Sequence, residues 1–379
     1  MNHTSTLKPL DSVLIKPAGP DCNMSCKYCF YLTKRDLFTA PGPHRMTESI
    51  LRETVRQVME QGGERVGFGW QGGEPTLTGM DFYEKAVEFQ HQYARPGQHA
   101  ENGFQTNGVL IDRVWAEFFR ENRFLVGLSL DGPQDVHDRY RLSEGGLSGW
   151  RQTVRVRDIL LATGVDVNVL SVVNDHSVRF VRDIYAFHKS GGVYNLQFIP
   201  CVEPDLLHPE RPAPYSVPPE SYGRFLCDLF DLWKSDFREG RPTVFVRWFD
   251  AVFFTYVDLS APECTLLPEC GVYLVVEHDG GVYPCDFFVD ANHRLGSVTK
   301  NRLSDLLNSE GMNRFGKRKH EAVLGCGTCP WLKHCWGGCP KERIGAGLCA
   351  AYRLFFEHAD GDFRRLARDW REKAGLIMP

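Results

Sequence analysis

The chain has 379 residues, 42% of them hydrophobic, and a formal net charge of −4, enough to bury the cores of two or three domains. No polybasic surface argues for nucleic acid or a membrane, no run of about 18 apolar residues marks a span, and Met1–Leu10 lacks the apolar stretch of a secretory signal. Thirteen cysteines without such a signal point to metal binding rather than disulfides, and so to a reducing, anaerobic cytoplasm.

Strands are predicted at Ser12–Ile15, Val66–Trp70, Gly103–Thr106, Leu125–Leu130, Val167–Val173 and Asn195–Ile199, with helical spacing between them. Thr47 reads as the N-cap of a helix with Leu51, Val55, Val58 and Met59 on one face. Asp112 reads as the cap of a second, carrying Val114, Trp115, Phe118 and Phe119, and Phe180, Ile184 and Phe187 repeat the pattern. Strand–helix alternation implies a parallel sheet with right-handed crossovers. Six units are too few for a closed barrel, so the fold class is α/β, an open partial (β/α)6 barrel. Active sites of barrels lie at the C-terminal strand ends. A Pro-rich stretch, Pro204 to Pro219, precedes a helix with Tyr222, Phe225, Leu226, Leu229, Phe230 and Trp233 on its apolar side. From about Arg241 segments shorten and cysteines crowd. His278-Asp279-Gly280 reads as the turn of a hairpin between Val272–Glu277 and Gly281–Pro284. The expected domains are 1–240, the barrel, and 241–379, a small α+β unit stabilised by metal.

The cysteines fall into spaced groups. Cys22, Cys26 and Cys29 form Cys-x3-Cys-x2-Cys just after the first strand. Thiolates are soft ligands that select iron–sulfur clusters or zinc, and a three-cysteine site leaves one iron open for chemistry. Cys264, Cys270 and Cys285 are more widely spread. Cys326, Cys329, Cys335 and Cys339 form a tight run followed by Cys349. A zinc ribbon on that run stays open as an alternative, although it leaves Cys264, Cys270, Cys285 and Cys349 without a role. Cys201 and Cys227 match no pattern and read as packing. After the second strand, Gly72-Gly73-Glu74-Pro75 forms a turn where glycine permits close backbone approach and Glu74 can accept from an ammonium.

The segment from Cys22 to Phe30 resembles the signature of the radical S-adenosylmethionine (SAM) enzymes, and the last third resembles their SPASM extension, an iron–sulfur domain. The resemblance implies a [4Fe–4S] cluster on Cys22, Cys26 and Cys29 that binds SAM, with Tyr28, Gly72, Gly73, Glu74, Ser129, Arg141 and Val202 around the cofactor. It also implies two auxiliary [4Fe–4S] clusters, one on Cys264, Cys270, Cys285 and Cys339, the other on Cys326, Cys329, Cys335 and Cys349. Nine residues separate Cys339 from Cys349, a short connection that Gly345 and Gly347 permit. More narrowly, Leu14–Pro17, Gln71–Thr76, Gln105–Gly108, Leu128–Gly132, Gln197–Cys201 and Val282–Phe287 are similar to the anaerobic sulfatase-maturating enzymes. Those oxidise a cysteine or serine in a sulfatase's Cys/Ser-x-Pro-x-Arg motif to Cα-formylglycine, through a 5′-deoxyadenosyl radical that takes a hydrogen atom from Cβ. The resemblance makes Asp286, next to Cys285, the proton acceptor, makes the auxiliary clusters the electron sink, and implies a sulfatase polypeptide and a donor such as flavodoxin or ferredoxin as partners.

Two other readings share some of these features. A SPASM maturase that forms thioether or carbon–carbon crosslinks in a ribosomal peptide has the same cluster types; Asp286 and the Gln197–Cys201 run favour sulfatase maturation over it. An iron–sulfur electron carrier or zinc scaffold would not cleave SAM. Trp70, Tyr31 and Phe104 could line a peptide cleft, with core packing the simpler role.

Overall fold

The computed structural model describes residues 7–39, 41–321 and 326–373. Its elements, in chain order, begin with β1 (Ser12–Lys16), α1 (Glu48–Gln61), β2 (Arg65–Trp70), α2 (Met80–Tyr93), β3 (His99–Thr106), α3 (Arg113–Glu121) and β4 (Leu125–Ser129). They continue with α4 (Gln134–His137), α5 (Trp150–Thr163), β5 (Asp166–Val173), α6 (Val181–Ser190), β6 (Asn195–Pro200), α7 (Pro219–Ser235), β7 (Phe245–Val246) and α8 (Arg247–Tyr256). The remainder is β8 (Leu274–Glu277), β9 (Gly281–Tyr283), β10 (Gly296–Ser297), α9 (Leu303–Leu307), α10 (Glu310–Glu321), α11 (Leu332–Cys335) and α12 (Cys349–Lys373). Strands β1 to β6, each followed by helix, give the α/β order of a partial (β/α)6 barrel, as predicted.

Local chemistry sets these boundaries. The Thr47 side chain accepts from the Ile50 amide and that of Asp112 from the Trp115 amide, each meeting a donor that the helix itself leaves unpaired. Both predicted caps are therefore real.

The chain forms two compact units, each assembled from separated stretches of sequence. The first runs to Ser129 and adds Arg141–Val167 and Gly271–Gly316; the second holds Leu130–Tyr140, Asn168–Cys270 and the chain from Lys317. In the first, β1 pairs in parallel with β2, β2 with β3 and β3 with β4. The predicted hairpin forms, β8 against β9, but β8 also pairs in parallel with β1, bringing Lys16 opposite Glu277. The reason is the open edge of β1: its unpaired amides and carbonyls take a strand from late in the sequence. Phe68, Trp70, Tyr83, Phe104 and Phe119, all under 2% exposed, form an aromatic core beneath this sheet; burial of each such side chain contributes about 1.5–3 kcal/mol. Trp70 and Phe104 are core residues, not cleft lining.

In the second unit β5 pairs in parallel with β6, and β6 with β7. Helices α7, α8 and α12 pack through Phe230, Trp233, Phe249, Phe355 and Phe363; the Phe249 and Phe355 rings stack at 5.4 Å with 4° between their planes. Among the described residues no helix is long and apolar enough to cross a membrane.

Candidate active site

The cysteine triplet lies on the loop after β1, in the first unit. The Cys29 amide donates to Cys26 O at 2.9 Å and the Met24 amide to Cys22 Sγ at 3.4 Å, turning the loop back on itself. Burial pushes the Cys22 thiol up to about 12, and the charges of Glu74, Cys26 and Cys29 act in the same direction. A coordinating thiol is deprotonated by the metal it binds, and iron is such a cation. The donor set therefore fits a cluster. Among the described residues no three Cys, His, Asp or Glu side chains close tightly enough for a single metal ion. A four-iron cluster takes a wider set, because each thiolate binds a different iron.

The Gly-Gly-Glu-Pro turn packs against this loop. The Gly73 amide donates to Gly19 O at 2.8 Å and the Glu74 amide to Asp21 O at 2.7 Å. A Cβ on Gly73 would lie 2.0 Å from Asp21 O, so no side chain fits, and Gly72 has φ +150°. The expectation that Glu74 accepts from an ammonium meets a carboxylate already engaged. Fully buried, it accepts from the Thr76 amide (3.1 Å), Thr76 Oγ1 (2.7 Å), Thr106 Oγ1 (2.8 Å) and the Asn107 amide (2.8 Å), while burial raises its pKa. Glu74 thus ties β2's turn to the end of β3. Asn107, which sequence reasoning passed over, donates from Nδ2 to Asn23 Oδ1 at 2.7 Å and lies 3.7 Å from Cys22 Sγ.

Tyr28 and Arg141 meet: the guanidinium lies 5.6 Å from the phenol ring's centre, and the adjacent Leu142 carbonyl accepts from the Ser25 amide at 2.7 Å. Ser129 ends β4 and is buried; Val202 is buried in the second unit after β6.

Asp286 stands at the end of the β9 segment, in the first unit. Tyr273 Oη donates to its Oδ1 at 3.1 Å, Cys285 Sγ lies 3.6 Å from the same oxygen, and Lys16 Nζ lies 3.9 Å from Oδ2. Lys16 is fully buried at the end of β1. Its ammonium donates to Gln71 Oε1 at 2.9 Å and sits 4.5 Å from the Tyr31 ring centre; Gln71 donates in turn to Gln105. Tyr31, read as core packing, is buried but polar: its hydroxyl donates to Glu277, and burial, then the Glu277 charge, raise its pKa well above the ordinary value. Lys16 and Gln71 were missed as site residues. The available signal was a lysine ending the apolar run of β1 and a glutamine directly after β2.

The later cysteines sort by unit. Cys285 belongs to the first. In the second, the thiols of Cys270, Cys264 and Cys339 all act on Lys319. The Cys335 thiol, which burial pushes up to about 11, feels Cys326, Cys329 and Cys349. Cys339 and Cys349 thus act on different groups. Cys201 is buried, while Cys227 is half-buried with Sγ 3.8 Å from Leu354 O.

The model of the Radical SAM superfamily matches residues 17–178, and that of an iron–sulfur cluster-binding domain, SPASM, matches 269–330. A cysteine-type anaerobic sulfatase-maturating enzyme of Clostridium perfringens is 36% identical over 92% of this chain and 96% of its own. A serine-type enzyme of Bacteroides thetaiotaomicron is 35% identical over 93% and 89%. The structure of native anSMEcpe with bound AdoMet and Cp18Cys peptide superposes with a TM-score of 0.87 at 35% identity, over 95% of this chain and 99% of that one. The chain therefore belongs to the anaerobic sulfatase-maturating enzymes of the radical SAM superfamily. Its cofactors are SAM and [4Fe–4S] clusters.

Proposed function

We propose that this enzyme oxidises a cysteine or serine in a Cys/Ser-x-Pro-x-Arg motif of a sulfatase polypeptide to Cα-formylglycine without oxygen. The observation that carries the reading is the carboxylate of Asp286, held by Tyr273 and faced by the buried ammonium of Lys16 one residue beyond a cluster cysteine. Near full-length likeness to cysteine-type and serine-type relatives supports the substrate class. Crosslinking of a ribosomal peptide is not favoured by these relatives.

Cys22, Cys26 and Cys29 would hold the SAM-binding cluster, with Tyr28, Gly72, Gly73, Ser129 and Arg141 toward the cofactor and Glu74 fixing the turn. Cys264, Cys270 and Cys339 would serve one auxiliary cluster, and Cys326, Cys329, Cys335 and Cys349 the other. When bound, these groups supply hydrogen-atom abstraction and a sink for one electron. Asp286 takes the proton from the substrate thiol or hydroxyl. Lys16 and Tyr273 hold its carboxylate in place, and Gln71 and Tyr31 border the same ammonium. Residues 1–240 and 241–379 would be the functional modules, the working place the cytoplasm, and a flavodoxin or ferredoxin the electron donor.

The test incubates reconstituted, reduced enzyme with SAM and synthetic Cys-x-Pro-x-Arg and Ser-x-Pro-x-Arg peptides. Mass spectrometry should find the reactive side chain converted to CHO. Formation of 5′-deoxyadenosine with both peptide masses unchanged would refute the proposal.

A further inference from the structure

Two cationic groups of the second unit, the fully buried Lys319 and the partly buried Arg343, have no carboxylate opposite them among the described residues. Lys319, on α10, is fully buried and donates from Nζ to the carbonyl oxygens of Cys264 (3.0 Å), Thr265 (2.8 Å) and Leu267. Those bonds use all three donors of an ammonium. Arg343 donates from Nη2 to Lys319 O at 3.0 Å and Gly337 O at 3.5 Å. Its Nη1 is buried and meets no acceptor among the described residues.

A charge removed from water without a counter-charge costs several kcal/mol. Both cations lie against the cysteine loops. Lys319 bonds the carbonyl of Cys264, a member of one auxiliary set. Arg343 bonds the carbonyl of Gly337, two residues from Cys339 of that set and two from Cys335 of the other.

We propose that Lys319 and Arg343 are the resident counter-charge of the two auxiliary clusters, with Arg343 Nη1 donating to cluster sulfur, and that they raise both reduction potentials so that these clusters accept the substrate's electron. A cluster gains one negative charge when it takes that electron, and a fixed positive charge beside it in a low-dielectric interior stabilises the reduced form. Hydrogen bonds to the sulfurs and local charge are among the protein's means of setting cluster potentials. Lys319 and Arg343 are positioning residues in this role; neither is assigned a contact with substrate.

The inference rests on the cluster assignment of these cysteines and not on the peptide substrate. Iron content tests the first: the reconstituted holoenzyme should carry about twelve irons, from three four-iron clusters. Redox titration followed by electron paramagnetic resonance then tests the second. Fully loaded Arg343→Gln should show both auxiliary midpoints at lower potential, with the cluster on Cys22, Cys26 and Cys29 as internal reference. Arg343→Lys, which keeps the charge, should move them less. Lys319→Met repeats the measurement from the other cation and decides the matter if Arg343→Gln loads poorly. Unmoved midpoints in a fully loaded neutral variant, or an equal shift in Arg343→Lys, would overturn the proposal.

Discussion

Replacing Asp286 by Asn tests the proposed base with little change of shape. Asn keeps an oxygen for the Tyr273 hydroxyl, 3.1 Å away, but cannot take a proton. Loss of a general base costs about 10²–10⁴ in rate, which at about 1.4 kcal/mol per tenfold is roughly 3–5 kcal/mol of barrier. The structural cost is separable. Lys16 loses a carboxylate 3.9 Å away yet keeps Gln71 at 2.9 Å and the Tyr31 ring at 4.5 Å. Two unit charges at that separation interact by about 4 kcal/mol at an effective dielectric of 20, so the stability loss should stay below that figure because the remaining partners share the ammonium. The assay follows 5′-deoxyadenosine and oxidised peptide together in anaerobically reconstituted protein. Deoxyadenosine should persist while peptide oxidation falls at least a hundredfold. Peptide oxidation within about threefold of the unaltered enzyme, at equal iron content, would remove Asp286 from the role of base.

Other outcomes follow from the same geometry. Gly73→Ala would place Cβ 2.0 Å from Asp21 O and should cost more than the usual 1–3 kcal/mol of overpacking, with loss of iron from the first cluster; Gly103→Ala, which meets nothing within 4 Å, should load normally. Denaturation midpoints and iron assays report both. Cys349→Ser should alter the same paramagnetic signal as Cys335→Ser, and Cys339→Ser the other auxiliary signal, since Cys335 feels Cys349 and Lys319 feels Cys339. Burial raises the Asp250 carboxyl from 3.8 to about 7, so the folded chain holds a proton there that the unfolded chain has lost. Stability from this group is present below about pH 4, falls as pH rises, and is gone above about pH 7. Asp250→Asn should therefore stabilise the protein, by about 1 kcal/mol more at pH 8 than at pH 6; an equal gain at both, measured by urea unfolding, would contradict the shift.

The six barrel strands, both helix caps and the cysteine groups were legible in the chain itself. Apolar runs, cap side chains and ligand spacing act over a few residues, where backbone geometry leaves little choice. Glu74 shows the boundary of that kind of reading. Its motif and its place after β2 were visible, but its carboxylate also reaches Thr106 and Asn107, more than thirty positions away. Lys16, Lys319 and Arg343 look like solvated charges in sequence, because nothing adjacent to them signals burial.

What the sequence by itself determined is the set of local units and the sulfur chemistry they carry. Tertiary structure decided which distant segments meet. The pairing of β8 with β1 sets Lys16 opposite Glu277, and with it places Asp286 within reach of an ammonium from the first strand. It also sets Cys339 to act on Lys319 and Cys349 on Cys335, although the two cysteines are near neighbours in the chain. The physical reason is common to both cases. A strand edge or a buried charge is satisfied by whatever partner the packed chain brings to it, and that partner need not be close in sequence.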